Sequence, residues 1–245
     1  MPFYEREDFI LNALLEKESM TVQELSKKLY VSMPTLRRDL IKLEDKGRII
    51  RTHGGAKLVK RSADEQIPFL LREQVQNDSK SIIARKALDF IHDGDVIMLD
   101  GSTSAYSIVP LLADFKKLLV ITSSAKSSFV LGNMGINNIC TGGHMITRVL
   151  SYVGEDAERT VENYNADVVF FSTRGLSMNG IMTDSSIEEN RLRRTMMKHA
   201  KKKIVLCDAS KIGETYLNTL CHISEVDEVL CEAPLPEHLL EMIKK

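Results

Sequence analysis

Residues 32–55, SMPTLRRDLIKLEDKGRIIRTHGG, constrain the fold most: they read as a two-faced helix, a glycine stop and a short basic hairpin. Leu36, Leu40 and Leu43 fall at i, i+4 and i+7 and make an apolar stripe, while Thr35, Arg38 and Lys42 line another face. Ser32 can accept from the amides of the first turn, and Pro34 stands early enough that its missing N–H costs no helical bond. The helix is therefore expected to begin at 32 or 33. Met33, Thr35, Arg37 and Arg38 would enter a major groove if this is the second helix of a helix-turn-helix.

The upstream sequence supplies the rest of such a unit. Thr21 and Glu24 have capping-box spacing, and Val22, Leu25 and Leu29 recur at i, i+3 and i+7, so a helix precedes and Tyr30–Val31 form the turn. Phe9, Ile10, Ala13 and Leu14 predict a first helix and, with it, a trihelical core. Gly47 can end the recognition helix in the left-handed region. Ile49, Ile50 and residues 51–55 then predict a two-stranded wing carrying Arg51 and His53.

A planar arginine fork can bond guanine O6 and N7 together, whereas lysines and wing residues mostly hold phosphates. Arg37 and Arg38 lie about 100° apart on a helix, so one base contact and one phosphate contact are expected. The alternative, a merely solvated basic face, does not account for the order helix, turn, helix, wing. Residues 1–60 resemble the winged helix-turn-helix of the DeoR family of bacterial transcriptional regulators. The family's VSxxTLRRDL, Leu, Gly and RxHGGA pattern is met by Val31, Ser32, Thr35, Leu36, Arg37, Arg38, Asp39, Leu40, Leu43, Gly47, Arg51, His53, Gly54, Gly55 and Ala56.

With 245 residues the chain has room for a second full domain. We expect a DNA-binding head over 1–57, a linker over 58–77 and an effector domain over 78–245. Residues 1–61 hold 13 Lys+Arg against 9 Asp+Glu, net +4, and the remainder 20 against 25, net −5. That polarity suits a basic nucleic-acid-binding end on an acidic body. Within the linker, Ile67, Pro68, Phe69, Leu70 and Leu71 predict a short apolar helix. It could complete a core, or lie on the second domain or a partner subunit and so fix where the heads sit.

No run approaches the 18 apolar residues of a membrane helix, and Glu5, Glu7 and Asp8 stand where a signal peptide would be basic and then apolar. A cytoplasmic protein is expected, without cofactor or metal. Cys140, Cys207, Cys221 and Cys231 lack CxxC pairing and read as reduced core thiols. A zinc pair at Cys221 and His222 would need a second pair of ligands that the spacing does not supply.

From Ser79 the pattern alternates: a helix through Ile91, then short apolar runs at 96–99, 118–121, 138–140, 168–171, 204–207 and 226–230, separated by helical stretches. This predicts an α/β domain with a mostly parallel sheet, whose ligands bind beyond the carboxyl ends of the strands. Asp100, Ser102, Thr103 and Ser104 follow the first run, and Thr122, Ser123 and Ser124 the second. Each cluster could be an ordinary helix cap, but two in succession suit a phosphorylated small molecule. Gly142 and Gly143 permit close backbone approach. Asp184, Glu188 and Lys211 could bind sugar hydroxyls or phosphate, and Arg148 and Arg174 could meet the anion or form surface ion pairs.

This half is similar to the DeoR family's C-terminal effector domain, whose fold resembles the sugar-phosphate isomerases. The resemblance rests on Lys80, 100–104, 122–124, Gly142–Gly143, and Asp208, Ser210 and Lys211. It implies a sensor of a phosphorylated sugar or related metabolite. Three departures stand out: Ser102 replaces a usual glycine, Ser123 a usual asparagine, and Ser172, Thr173, Arg174, Gly175, Leu176 replace a GxxGI segment. Two functions follow. The first is a transcription factor, a repressor of carbohydrate-metabolism genes, binding operator DNA as a homo-oligomer (dimer or tetramer) under control of a phosphorylated effector. The rival is an aldose-ketose phosphate isomerase with Glu188 or Asp184 as base and Lys211 as electrostatic stabiliser.

Overall fold

A computed structural model describes residues 3–17, 19–45, 49–52, 54–58 and 69–243. Gly47, His53, Ile67 and Pro68 lie outside them. The described residues form two compact units: one comprises the N-terminal elements together with Leu70–Val75, and the other comprises Phe69 and everything from Gln76 onward.

In the first unit, α1 (Phe3–Glu16), α2 (Val22–Leu29) and α3 (Met33–Asp45) pack with strands β1 (Ser19–Thr21), β2 (Ile49–Thr52) and β3 (Gly55–Leu58). The core is Ile10, Leu11, Ala13, Leu14, Leu25, Leu36, Leu40, Leu43 and Ile49, so the predicted apolar stripes meet; Phe9, by contrast, points outward at 57% exposure. The capping box forms as expected, Glu24 N–H donating to Thr21 Oγ1 at 3.1 Å and Thr21 N–H to Glu24 Oε2 at 2.8 Å. Tyr30 turns the chain in the left-handed region at φ 52°. Asp39 shares the buried stripe of α3, where Arg6 of α1 holds it with two bonds of 2.7 and 3.0 Å.

The wing has three strands, not two. β1 joins β3 antiparallel, giving the order β1-β3-β2. Gly55 is required there, because a Cβ would stand 2.3 Å from the Met20 carbonyl oxygen across the pair.

The second unit opens with Phe69, first residue of the short helix α4 (Phe69–Gln74) that runs on into the head's unit, then α5 (Asn77–Ala87). There follow β4 (Val96–Leu99), α6 (Thr103–Tyr106), β5 (Leu119–Thr122), α7 (Ala125–Asn133), β6 (Asn137–Cys140), β7 (His144–Ile146) and β8 (Ser151–Val153). The chain continues through α8 (Glu155–Glu162), β9 (Ala166–Ser172), β10 (Gly175–Leu176), β11 (Ile181–Asp184), α9 (Ile187–Lys198), β12 (Ala200–Leu206), β13 (Asn218–His222), β14 (Glu228–Leu230) and α10 (Glu237–Met242). The six predicted apolar runs become one parallel sheet, β14-β12-β9-β4-β5-β6. Smaller antiparallel pieces, β10-β11-β13 and β7-β8, were not foreseen.

Both sheet faces are buried, which is why the runs are continuous. Ile97 and Leu99 face α5 (Ile83, Ala84, Ala87) and α7 (Leu131), while Met98 and Phe171 face α8 (Ala157, Val161) and α9 (Leu192, Met196). In chain order the sheet runs 6-5-4-1-2-3, so its winding reverses between β4 and β9. In doubly wound sheets the crevice for ligands opens beyond the strand ends at that reversal.

Candidate DNA-reading face and ligand site

On α3 the candidate reading residues divide. Ser32 Oγ accepts from Thr35 N–H at 3.4 Å and lies 2.9 Å from Thr35 Oγ1, so the Thr35 hydroxyl is partly engaged in the cap. Met33 and Arg37 line an open cleft with Thr21, Gln23, Arg51 and Thr52, between the start of α2, α3 and the wing. Arg38 and Lys42 are exposed on the other side. Arg51 is tied to α3: its N–H donates to Glu44 Oε1 at 3.1 Å and its guanidinium lies 3.4 Å from Glu44 Oε2.

At the sheet's reversal point the loop after β4 and the end of β9 are joined through Asp100. Its Oδ1 accepts from Ser102 N–H at 3.0 Å; its Oδ2 accepts from Ser172 N–H at 3.2 Å and from Arg193 Nε at 2.8 Å. Arg193, on α9 and 4% exposed, also reaches Asp184 Oδ2 (2.9 Å), Asn190 Oδ1 (3.1 Å) and Glu189 Oε1 (3.6 Å). Burial alone would push that guanidinium toward losing its proton, but Asp184, Asp100 and Glu189 outweigh it and hold the charge more firmly than in water. Burial would likewise raise Asp184, yet Arg193 and Arg174 keep its carboxyl below the usual range.

Beside this negative cluster lies a positive one. The Lys211 ammonium donates to Ser172 Oγ at 2.7 Å, sits 3.1 Å from Asp208 Oδ2, and is 3.5 Å from Ser104 Oγ. It thus spans the reversal from the β4 loop to β9. Lys80, 6% exposed on α5, adds a second cation near Asp208. Burial opposes ionisation of Asp208, but Lys211, Ser210 and Lys80 hold its carboxyl below the ordinary range. Two lysines against one carboxylate, with the Ser172 and Ser104 hydroxyls beside Lys211, favour an anion.

Residues 6–62 match the DeoR-like helix-turn-helix domain and residues 75–233 match the DeoR C terminal sensor domain. The chain belongs to the DeoR family of transcriptional regulators. The HTH-type transcriptional regulator YulB of Bacillus subtilis (strain 168) is 33% identical over 94% of this chain and 89% of its own. The L-fucose operon activator of Escherichia coli (strain K12) is 31% identical over 93% of this chain and 94% of its own. Among solved structures, ribose 5-phosphate isomerase A from Methanocaldococcus jannaschii covers 56% of this chain and 54% of its own at 16% identity and a TM-score of 0.42.

Within this DeoR-family sensor domain the predicted residues take unequal places. Ser102 and Ser124 are spent as caps, accepting from Ala105 and Ser127 N–H, and Thr122 Oγ1 accepts from Ser124 N–H. Ser123 Oγ lies 3.4 Å from Ser151 Oγ. Thr103, like these, is buried. Glu188 is exposed, while Glu189, one residue on, turns inward to Arg193. Gly143 serves internal packing: at φ 95° a Cβ there would stand 2.6 Å from the Val153 carbonyl oxygen, whereas Gly142, at φ 66°, has open space.

Arg174 keeps 21% of its side chain exposed, 3.7 Å from Asp184 Oδ1 and with its guanidinium carbon 5.9 Å from the Tyr216 ring centroid. Arg148 is half-buried, and its carbonyl accepts from Phe69 N–H. Cys221 and His222 turn apart: Cys221 Sγ faces Met182 Sδ at 3.8 Å and the His222 nitrogens face Ser224 Oγ and Asn179 O. Among the described residues no helix is long and apolar enough to cross a membrane.

Arg193 escaped the sequence reading, because it stands in a run of basic residues that resembles a solvated face. One signal was available. Glu189 and Arg193 are spaced i, i+4 beside apolar Leu192 and Met196.

Proposed function

We propose that this regulator is a repressor of carbohydrate-metabolism genes, binding operator DNA through the heads of a homo-oligomer with an affinity that changes when a phosphorylated small molecule enters the sensor domain. The observation that carries the reading is Lys211, held at the sheet's reversal point by Ser172, Ser104 and Asp208 with buried Lys80 nearby. A phosphate would meet two cations there, while Arg174, with 21% of its side chain exposed, is placed for a further polar group of a sugar. The isomerase alternative, with Glu188 or Asp184 as base, is weaker, because Asp184 Oδ2 is already committed to Arg193 and Glu188 is exposed to solvent.

Met33, Thr35, Arg37, Arg38, Lys42 and Arg51 supply the DNA-reading set, with His53 assigned from the sequence. A single small head reads few base pairs, so at least two per assembly are required for operator specificity. A head-and-sensor protein acts most simply by occupying its operator, hence repression, although the L-fucose operon relative is named an activator.

The test is a panel of pentose and hexose phosphates, with the unphosphorylated sugars as controls. Thermal shift, turnover and affinity for DNA selected from a random pool are followed together. A phosphorylated sugar should raise the melting temperature, show no turnover and change DNA affinity. Stabilisation by the free sugars alone, or turnover at an enzymatic rate, would overturn the reading, and transcription in vitro decides between repression and activation.

A further inference from the structure

Phe69 is the last residue on the body side before Leu70–Val75, which belong to the head's compact unit. Its ring is 1% exposed. It meets the Tyr106 ring edge-on, with centroids 5.7 Å apart and planes at 77°. The Lys126 ammonium stands 5.5 Å from the Phe69 centroid and 4.6 Å from that of Tyr106. The Phe69 N–H donates to the Arg148 carbonyl at 2.9 Å. A buried ring set edge-on against a half-buried one under a cation, with its backbone tied down, holds Phe69 in the second unit.

The walls of this socket are built from the ligand loops. Tyr106 ends α6, which contains Thr103 and Ser104 and follows Asp100–Ser102 in the chain, and Lys126 lies in the first turn of α7, two residues beyond Ser124. Residues 148–152 are stitched to the second loop: Ala125 N–H donates to Leu150 O at 2.9 Å and Tyr152 N–H to Ser123 O at 2.8 Å. They also press on the first loop, since a Cβ on Gly101 would stand 2.2 Å from Ser151 Oγ.

We propose that the Phe69 socket couples the two ligand loops to the DNA head, Phe69 acting as a positioning residue whose anchorage depends on how those loops and residues 148–152 are set. The proposal rests on reading those loops as the ligand site. Coupling of this kind requires a contiguous set of contacts that both sites bias, and Gly101, Ser151, Arg148 and Phe69 form one.

A double-mutant cycle tests it without knowing the ligand. Gly101→Ala pushes on Ser151 as a ligand-free perturbation. On DNA selected by the wild-type protein it should change Kd at least fivefold, and less than twofold in a Phe69→Ala background. Equal fold-changes in the two backgrounds overturn the proposal, and so does an unchanged Kd for Gly101→Ala itself. Should Phe69→Ala fail to fold, Lys126→Met takes its place: it removes the cation, leaves the rings packed, and should at least halve the fold-change. A wild-type protein indifferent to every sugar phosphate, but with a coupled cycle, would overturn the ligand reading and leave the socket standing.

Discussion

The Arg193 guanidinium lies 2.8 Å from the Asp100 carboxylate, joining α9 to the loop after β4 across 93 residues of sequence, with neither side chain more than 5% exposed. The same cation serves Asp184 and Glu189. Three buried carboxylates thus share one arginine, with Arg174 adding a second cation at Asp184.

Removing that arginine leaves uncompensated buried charge, so Arg193→Leu should cost the sensor domain about 3–5 kcal/mol in urea denaturation. Arg193→Lys keeps the charge and loses the fork, and should recover only part of the loss. A loss below about 1 kcal/mol for Arg193→Leu would show that water or rearrangement satisfies the carboxylates.

The acid limb of stability follows from two groups. Asp184 and Asp208 are held below the ordinary carboxylate value of 3.8 in the folded chain by Arg193 and by Lys211 respectively, against the opposing effect of burial. A depressed folded value means that stability is present in full above the unfolded value and is lost as pH falls below it toward the folded one. The urea midpoint of the sensor domain should therefore hold near neutrality and drop steeply below about pH 4. Asp208→Asn should show a shallower drop; an identical acid slope would exclude Asp208 as a contributor.

The fold was more legible than the site, for a physical reason. Strands buried on both faces must be apolar at every position, so 96–99 or 204–207 announce themselves without knowledge of their neighbours. β10, two residues long, and β13, with Asn218 and Thr219 among its five, carry no such run, and β1 is extended because β3 pairs with it. Asp39 looked polar within TLRRDL but lies on the Leu36, Leu40, Leu43 stripe. Its burial was readable, whereas its partner Arg6, 33 residues away, was not. Of the loop hydroxyls, Ser102 and Ser124 cap their own helices, whereas Ser104 lies beside Lys211 and Ser123 beside Ser151. What binds and what merely caps is decided by tertiary neighbours such as Lys211 at Ser172.

The four cysteines are free. Burial pushes the Cys207 and Cys221 thiols up to about 12 and raises Cys231 as well. Thiolate is the reactive form, so these three should resist alkylation of the native protein at pH 8 and label only on unfolding. Half-buried Cys140 should label first. Rapid native labelling of Cys207 by mass spectrometry would contradict its burial just beyond β12.

Glu44 pairs with Arg51 at 3.4 Å, both about half exposed, and so would compete with a DNA phosphate placed at that wing arginine. Glu44→Gln should strengthen DNA binding at low salt and steepen the salt dependence by roughly one phosphate contact. Stability should barely change, because exposed pairs contribute little. An unaltered salt slope would take Arg51 out of the interface.

Arg37 and Arg38 should fail in different ways. Arg37 lines the cleft with Met33 and Thr52 while Arg38 stands on the Lys42 side, about 100° around the helix, so the two cannot address the same DNA group. Alanine at the base-reading position should cost about 1–3 kcal/mol on the selected operator and relax specificity at one base pair. Alanine at the phosphate-holding position should weaken all sequences alike and lower the salt slope by about one. Fluorescence anisotropy against the operator and its single-base variants, at several salt concentrations, separates the two. Identical profiles for both variants would mean that neither reads a base and that specificity resides in Thr35 and the wing.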